Sequence, residues 1–219
     1  MIYLNFKTYK SGTGERALDM AKIAKEISQE CGIKIICVVQ PMDIKEISLV
    51  VNSEIWSQKI DAVEFGAHTG SILAESVIED GAVGTFLNHS EGRFPDFETL
   101  SKAHVRAKEV GLKTLIFAKD LEELEKVLFL KPDFVSYEPP ALIGRSDVSV
   151  ATAEPDIIAK AFELSKIKGI PLIVGAGVHS KEDIRKCIEL GAVGVAVASD
   201  IMNAEDPKKE LLDLIDGFR

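Results

Sequence analysis

Cysteine is scarce, with three among 219 residues, Cys31, Cys37 and Cys187, and no CxxC pair. An odd, unclustered set of thiols argues against a disulfide framework and against a cysteine zinc site, and it suits a reducing compartment such as the cytoplasm. The four histidines, His68, His89, His104 and His179, show no HxH or HExxH spacing, so neither a metal nor a metal-dependent reaction is expected. Basic residues are the minority, 26 against 35 acidic for a net charge of -9, which disfavours nucleic acid and anionic membrane as partners. No apolar run approaches the ~20 residues of a membrane span. The start, Met1-Ile2-Tyr3-Leu4-Asn5-Phe6-Lys7, lacks the charged-then-apolar order of a secretory leader. Neither GxGxxG nor GxxxxGK[ST] follows the first apolar run, so the nucleotide-binding form of an open doubly wound sheet has no support.

What the chain does have is 46% hydrophobic residues arranged as short β-branched runs between longer amphipathic segments. That alternation predicts parallel strands joined by crossover helices. Eight runs qualify, over residues 2–5, 34–39, 55–58, 84–87, 113–117, 134–137, 170–174 and 194–197. Most are nearly continuous in apolar character, as strands covered on both faces must be. Asp120 with Glu123 and Ser180 with Asp183 fit capping boxes, and Asp206-Pro207 sets a cap before a first-turn proline. Gly111, Gly169 and Gly191 each close a helical segment where a left-handed residue is favoured. Eight such units in one chain of this length predict an α/β fold, a (β/α)8 TIM barrel, as a single domain over 1–219.

In such a barrel the C-terminal strand ends converge on one face, so polar residues that interrupt the runs there are the candidates for chemistry. Asn5 and Lys7, two apart at the end of the first run, would point the same way on extended chain. Taken alone, they read equally as a turn former and a solvated lysine. The fourth run ends in Asn88-His89-Ser90-Glu91. A helical turn starting near Ser90 would keep His89 neutral and leave it an electrophile rather than a base, although Ser90 as an ordinary cap with His89 in a plain loop is the simpler local account. The sixth run leads into Glu138-Pro139-Pro140-Ala141-Leu142-Ile143-Gly144. A strand-end carboxylate followed by two prolines and an apolar tripeptide suggests a stiff lid, whose closure would expel water and raise the basicity of Glu138. The alternative is a loop whose Leu142 and Ile143 plug the helical layer. The last two runs end in Gly175-Ala176-Gly177-Val178 and Ala198-Ser199-Asp200, small residues of the kind that let backbone donors approach a phosphate.

Together, Asn5-x-Lys7, His89-Ser90-Glu91, Glu138-Pro139-Pro140-x-x-Ile143-Gly144 and Gly175-Ala176-Gly177-Val178 resemble the triosephosphate isomerase family in its short archaeal form. The resemblance implies a cofactor-free aldose-ketose isomerase of glycolysis and gluconeogenesis, interconverting dihydroxyacetone phosphate and D-glyceraldehyde 3-phosphate. It implies Glu138 as base, His89 and Lys7 as electrophiles, Asn5 as a further donor and Glu91 as support for the lysine. Gly144, Gly177, Ala198 and Ser199 would hold the phosphate. The segment Gly66-Ala67-His68-Thr69-Gly70 is similar to a loop that reaches into a partner subunit, with Ile72 and Leu73 as apolar residues for that partner to cover. A homotetramer is therefore expected, with a dimer as the alternative. The sequence departs from the family pattern in four places: Gly144-Arg145-Ser146 at the end of the lid, Asp200 beside the phosphate residues, Gly92 where a polar or basic residue is common, and shorter helix signals in the second half. The expectation for Asp200 is an N-cap turned away from the ligand. Two rivals remain, a Schiff-base aldolase with Lys7 as nucleophile and a sugar-phosphate sensor without turnover.

Overall fold

The computed structural model describes residues 1–139, 155–175 and 177–219. Eight parallel strands, β1 (Ile2–Asn5), β2 (Ile35–Val39), β3 (Ile55–Ser57), β4 (Gly84–Leu87), β5 (Lys113–Ala118), β6 (Phe134–Tyr137), β7 (Leu172–Val174) and β8 (Gly194–Val197), pair in chain order and close with β8 against β1. Around them lie α1 (Glu15–Cys31), α2 (Ile44–Val51), α3 (Ala74–Glu79), α4 (Phe97–Glu109), α5 (Leu121–Phe129), α6 (Pro155–Ile167), α7 (Lys181–Glu189), α8 (Ser199–Met202) and α9 (Pro207–Ile215). The expected barrel is the observed one.

Side chains alternate across a strand, and here the two faces feed two separate cores. Tyr3, Ile36, Val38, Trp56, Phe86, Leu115, Phe117 and Ile173 form one cluster inside the barrel. Their neighbours Ile2, Leu4, Ile35, Cys37, Val39, Leu87 and Ile116 join the cluster between strands and helices. The continuous apolar runs follow from this double burial. Aromatic rings dominate the interior: Tyr3 meets Trp56 edge-on at 5.0 Å, and Phe86 meets Phe117 at 4.8 Å. Burying a ring of the size of Trp56 contributes roughly 4–6 kcal/mol by area. Gly84 makes room for it, because a Cβ at that position would sit 2.4 Å from the indole.

Ser180 and Asp183 complete the capping box at α7. Asp120 caps α5, but the Glu123 carboxylate reaches Lys119 N rather than the N–H of Asp120, so that box is only half formed. Asp206 caps α9 ahead of Pro207, and Gly111, Gly169 and Gly191 all take positive φ as expected. β7 begins at Leu172 rather than at residue 170. Pro171 has no N–H for the ladder, and Ile170 N is spent on Ser165 O at the end of α6. Among the described residues no helix is long and apolar enough to cross a membrane.

Candidate active site

The C-terminal strand ends surround a cleft lined by Asn5, Lys7, His89, Glu138, Gly177, Ala198 and Ser199, together with Phe86 and Phe117. Seven of the residues singled out in the sequence thus share one cavity. Glu91 lines the adjoining cleft with Asn5, Lys7 and His89. Gly144, the lid residues 140–143, Arg145, Ser146 and Ala176 lie outside the described residues.

Asn5 continues the inward parity of Tyr3 and is 6% exposed. Lys7 does not reach the cleft by continuing the strand, as extended-chain reasoning expected. Its backbone turns into the left-handed region at φ 46°, a conformation that costs a non-glycine residue on the order of 1 kcal/mol or more. Three bonds hold it there. Its N–H donates to Asn5 Oδ1 at 3.0 Å, its carbonyl accepts from Gln58 Nε2 at 2.8 Å, and its Nζ donates to Glu91 Oε1 at 2.8 Å.

β4 delivers His89 on a short turn, residues 90–92, and the cap of that turn is His89 itself. The N–H of Glu91 donates to His89 Nδ1 at 3.2 Å. Accepting there places the proton of a neutral ring on Nε2, which faces Glu138 Oε1 at 3.3 Å. The ring packs edge-on against Phe117 at 4.9 Å. Burial pushes the imidazole below its ordinary pKa, with Lys7 adding to the effect and the carboxylates of Glu138 and Glu91 opposing it. Desolvation therefore does most of what the sequence reading assigned to the helical turn. Asn88, the residue before, also has positive φ, and its amide donates to Phe117 O at 3.0 Å and Glu123 Oε1 at 3.3 Å while accepting from Phe94 N. Arg93 pairs with the same Glu123 carboxylate.

Glu138 continues the β5–β6 ladder through its N–H to Ala118 O at 2.9 Å and is 7% exposed. Its Oε2 accepts from Ser90 N at 3.2 Å. Gly175 lies alongside, where a Cβ would be in ordinary contact with Glu138 Oε1 at 3.7 Å and would press on Ser136 Oγ at 3.2 Å. At the opposite end of the cleft, the cap of α8 is Ala198, and its side chain makes no cap bond. Asp200 is therefore not the N-cap it was expected to be. It lies one residue inside the helix, and its carboxylate is drawn to the His179 ring at 2.7 Å.

Gln58, Asn88, Glu123 and the His179–Asp200 pair were not assigned to the site from sequence. Each acts through a partner at least 21 positions away, so the signal exists only once the barrel closes. Cys37 and Cys187 are buried with thiols pushed up to about 12, which leaves them unreactive. Among the described residues no group of three or more His, Cys, Asp or Glu could hold a metal ion.

The loop at 66–70 is exposed, and Ile72 after it is partly buried, packing on the chain's own core, with its carbonyl accepting from Asp61 N and its N–H donating to Asp61 Oδ2. The exposed apolar side chain of this region is Phe65, at 74%.

A family model described as triosephosphate isomerase matches residues 1–217. A triosephosphate isomerase of Methanobacterium bryantii is 43% identical over 217 residues, covering 98% of this chain and 95% of that protein. One from Methanothermus fervidus is 41% identical, covering 98% and 97%, and one from Archaeoglobus fulgidus is 37% identical, covering 98% and 96%. Among solved structures, triosephosphate isomerase from Bartonella henselae superposes with a TM-score of 0.76 at 18% identity, covering 99% of this chain and 98% of that one, a likeness of fold. With the family matched from end to end and relatives above 40% identity, the chain belongs to the triosephosphate isomerases, the isomerase family that interconverts dihydroxyacetone phosphate and glyceraldehyde 3-phosphate.

Proposed function

We propose that the cleft isomerises a triose phosphate by moving one proton between the two carbons beside its phosphate arm. Glu138 removes a proton from the carbon next to the carbonyl, and the freed electron pair forms the carbon–carbon double bond of an enediolate. The carbonyl oxygen takes up the negative charge and is met by His89 Nε2–H, the Lys7 ammonium and the Asn5 amide. The hydroxyl proton on the first carbon's oxygen passes to the former carbonyl oxygen, and as the new carbonyl forms the proton held by Glu138 returns to the neighbouring carbon. A glutamate base and a neutral histidine are the roles for which this family is known. The observation that carries the reading is the facing pair in one cleft: a carboxylate oxygen 3.3 Å from a histidine nitrogen whose sister nitrogen is occupied as an acceptor. A base and an electrophile so placed supply the two requirements of proton transfer next to a carbonyl. Glu91 holds Lys7 in position, and Gly144, Gly177, Ala198 and Ser199 receive the phosphate.

For an aldolase, Lys7 would have to present a neutral amine. Its Nζ is instead engaged with Glu91 Oε1 at 2.8 Å. A coupled turnover assay with dihydroxyacetone phosphate tests the reading, run beside borohydride trapping. Turnover without covalent labelling is expected, whereas labelling of Lys7 would assign the site to aldol chemistry and absence of turnover would leave a sensor.

The reading extends to a cytoplasmic homo-oligomer, a tetramer ahead of a dimer. Three unpaired thiols support the compartment, and Phe65 exposed beside the loop at 66–70 supports assembly. Sedimentation should reveal no major monomer, and a fully active monomer would refute assembly through that loop.

A further inference from the structure

Left to strand alternation, the end of β4 would aim His89 away from the cleft. Phe86 faces the barrel interior and Leu87 the layer between strands and helices, so a continued extended chain would turn Asn88 inward and His89 toward the helices. His89 nevertheless lines the cleft with Phe86, its ring packed against Phe117. The alternation is broken at Asn88, which takes φ 62°, a left-handed conformation that asparagine tolerates better than most side chains.

Asn88 is 3% exposed, and its side chain binds three separate segments. Nδ2 donates to Phe117 O near the end of β5 at 3.0 Å and to Glu123 Oε1 on α5 at 3.3 Å. Oδ1 accepts from Phe94 N at 3.3 Å, on the far side of the turn at 90–92. Glu123 is itself fixed, by Lys119 N at 2.8 Å and by the Arg93 guanidinium. The turn that carries His89 and Glu91 is thus held at both ends. Its near end is bonded to Phe117, the residue whose ring flanks the imidazole. Glycine at position 88 would permit the left-handed turn, but it would not hold it.

We propose that Asn88 is a positioning residue for His89: its left-handed backbone reverses the strand alternation, and its side-chain bonds keep the imidazole aimed into the cleft. The inference rests on the isomerase reading of that cleft, in which His89 meets the charge that develops on the carbonyl oxygen. Such an interaction is stronger in the transition state than in the bound substrate, so a misaimed ring lowers kcat more than it raises KM.

Asn88→Gly separates permitting the turn from holding it, since glycine relieves the φ of 62° while every side-chain bond is deleted. Asn88→Asp is nearly isosteric and keeps the acceptor for Phe94 N, but it loses both donors. Both variants are compared with the wild type for kcat and KM in the coupled assay. The ring nitrogens of His89 are followed by heteronuclear NMR and assigned by their loss in His89→Gln. In the wild type the Nε2–H tautomer should dominate, because Nδ1 accepts from Glu91 N. In each variant kcat should fall at least about tenfold, by more than KM rises, and the ring should show a mixture of tautomers. A smaller loss of kcat, a change confined to KM, or unchanged ring signals overturns the inference, however far Tm falls. If turnover is present in the wild type in those cases, the isomerase reading stands and only the role of Asn88 falls. If the wild type does not turn over, the isomerase reading falls, and the ring signals alone decide whether Asn88 places His89.

Discussion

Shortening the proposed base by one methylene tests how much of the catalysis depends on its reach. In Glu138→Asp the carboxylate withdraws by one carbon–carbon bond, about 1.5 Å, while the backbone stays fixed by the 2.9 Å bond to Ala118 O. The contacts to Ser90 N and His89 Nε2, now 3.2 and 3.3 Å, then open to roughly 4.5 Å, beyond hydrogen-bond range. A misplacement of about 1 Å can cost on the order of 100-fold in rate, or about 2.7 kcal/mol of barrier. The loss should appear in kcat rather than KM, because Gly177, Ala198 and Ser199, three of the four residues assigned to the phosphate, lie on other loops. A coupled assay gives the kinetics, and a thermal melt checks that the ~1–3 kcal/mol exposed to risk by leaving a buried partner unpaired has not unfolded the barrel. A folded Glu138→Asp variant with kcat within threefold of the wild type would refute the reasoning.

Gly84→Ala should drive a Cβ into the Trp56 indole at a cost of about 1–3 kcal/mol, seen as a Tm lower by roughly 2–12 °C; an unchanged Tm would mean that the interior has slack. Lys7→Gly should abolish most turnover while leaving stability equal or slightly higher, since glycine relieves the φ of 46° and the lost ion pair is partly exposed; a lower Tm would show that the bonds around Lys7 outweigh its strain. His89 should titrate by NMR below the ordinary histidine value of 6.5, because burial disfavours the imidazolium. A depressed value means that the unfolded chain takes up the proton first, so this residue's contribution to stability is present above the unfolded pKa and is lost as pH falls below it. A midpoint above 6.5 would contradict the neutral electrophile.

The strands were legible because each carries its burial on both faces. Ile35-Ile36-Cys37-Val38-Val39 cannot be placed anywhere except between a filled interior and a helical layer. Boundaries were misjudged where one backbone group decided them, as with Pro171 at β7. The side chains proposed for catalysis stood out because polar residues at the ends of apolar runs have few structural uses. What could not be read was anything set by a contact between distant loops. Lys7 reaches its place by leaving the strand conformation, a choice enforced by Gln58 and Glu91 rather than by its neighbours in sequence. Asp200 was expected to satisfy the nearest helix, and local chemistry alone would allow it. The competing partner, His179, arrives only when β7 and β8 bring their loops together.

The account centres on a proton carried by Glu138 from one carbon to the next. Isomerisation of dihydroxyacetone phosphate in D₂O, followed by proton NMR of the glyceraldehyde 3-phosphate formed, tests it most directly. A proton resting on a carboxylate exchanges with solvent, so the product should carry deuterium at the carbon beside its aldehyde, and Glu138→Gln should form almost no product. Product formed at the normal rate by Glu138→Gln, with no solvent deuterium at that carbon, would mean that hydrogen crosses between the carbons without this carboxylate, and the proposed role of Glu138 would be wrong.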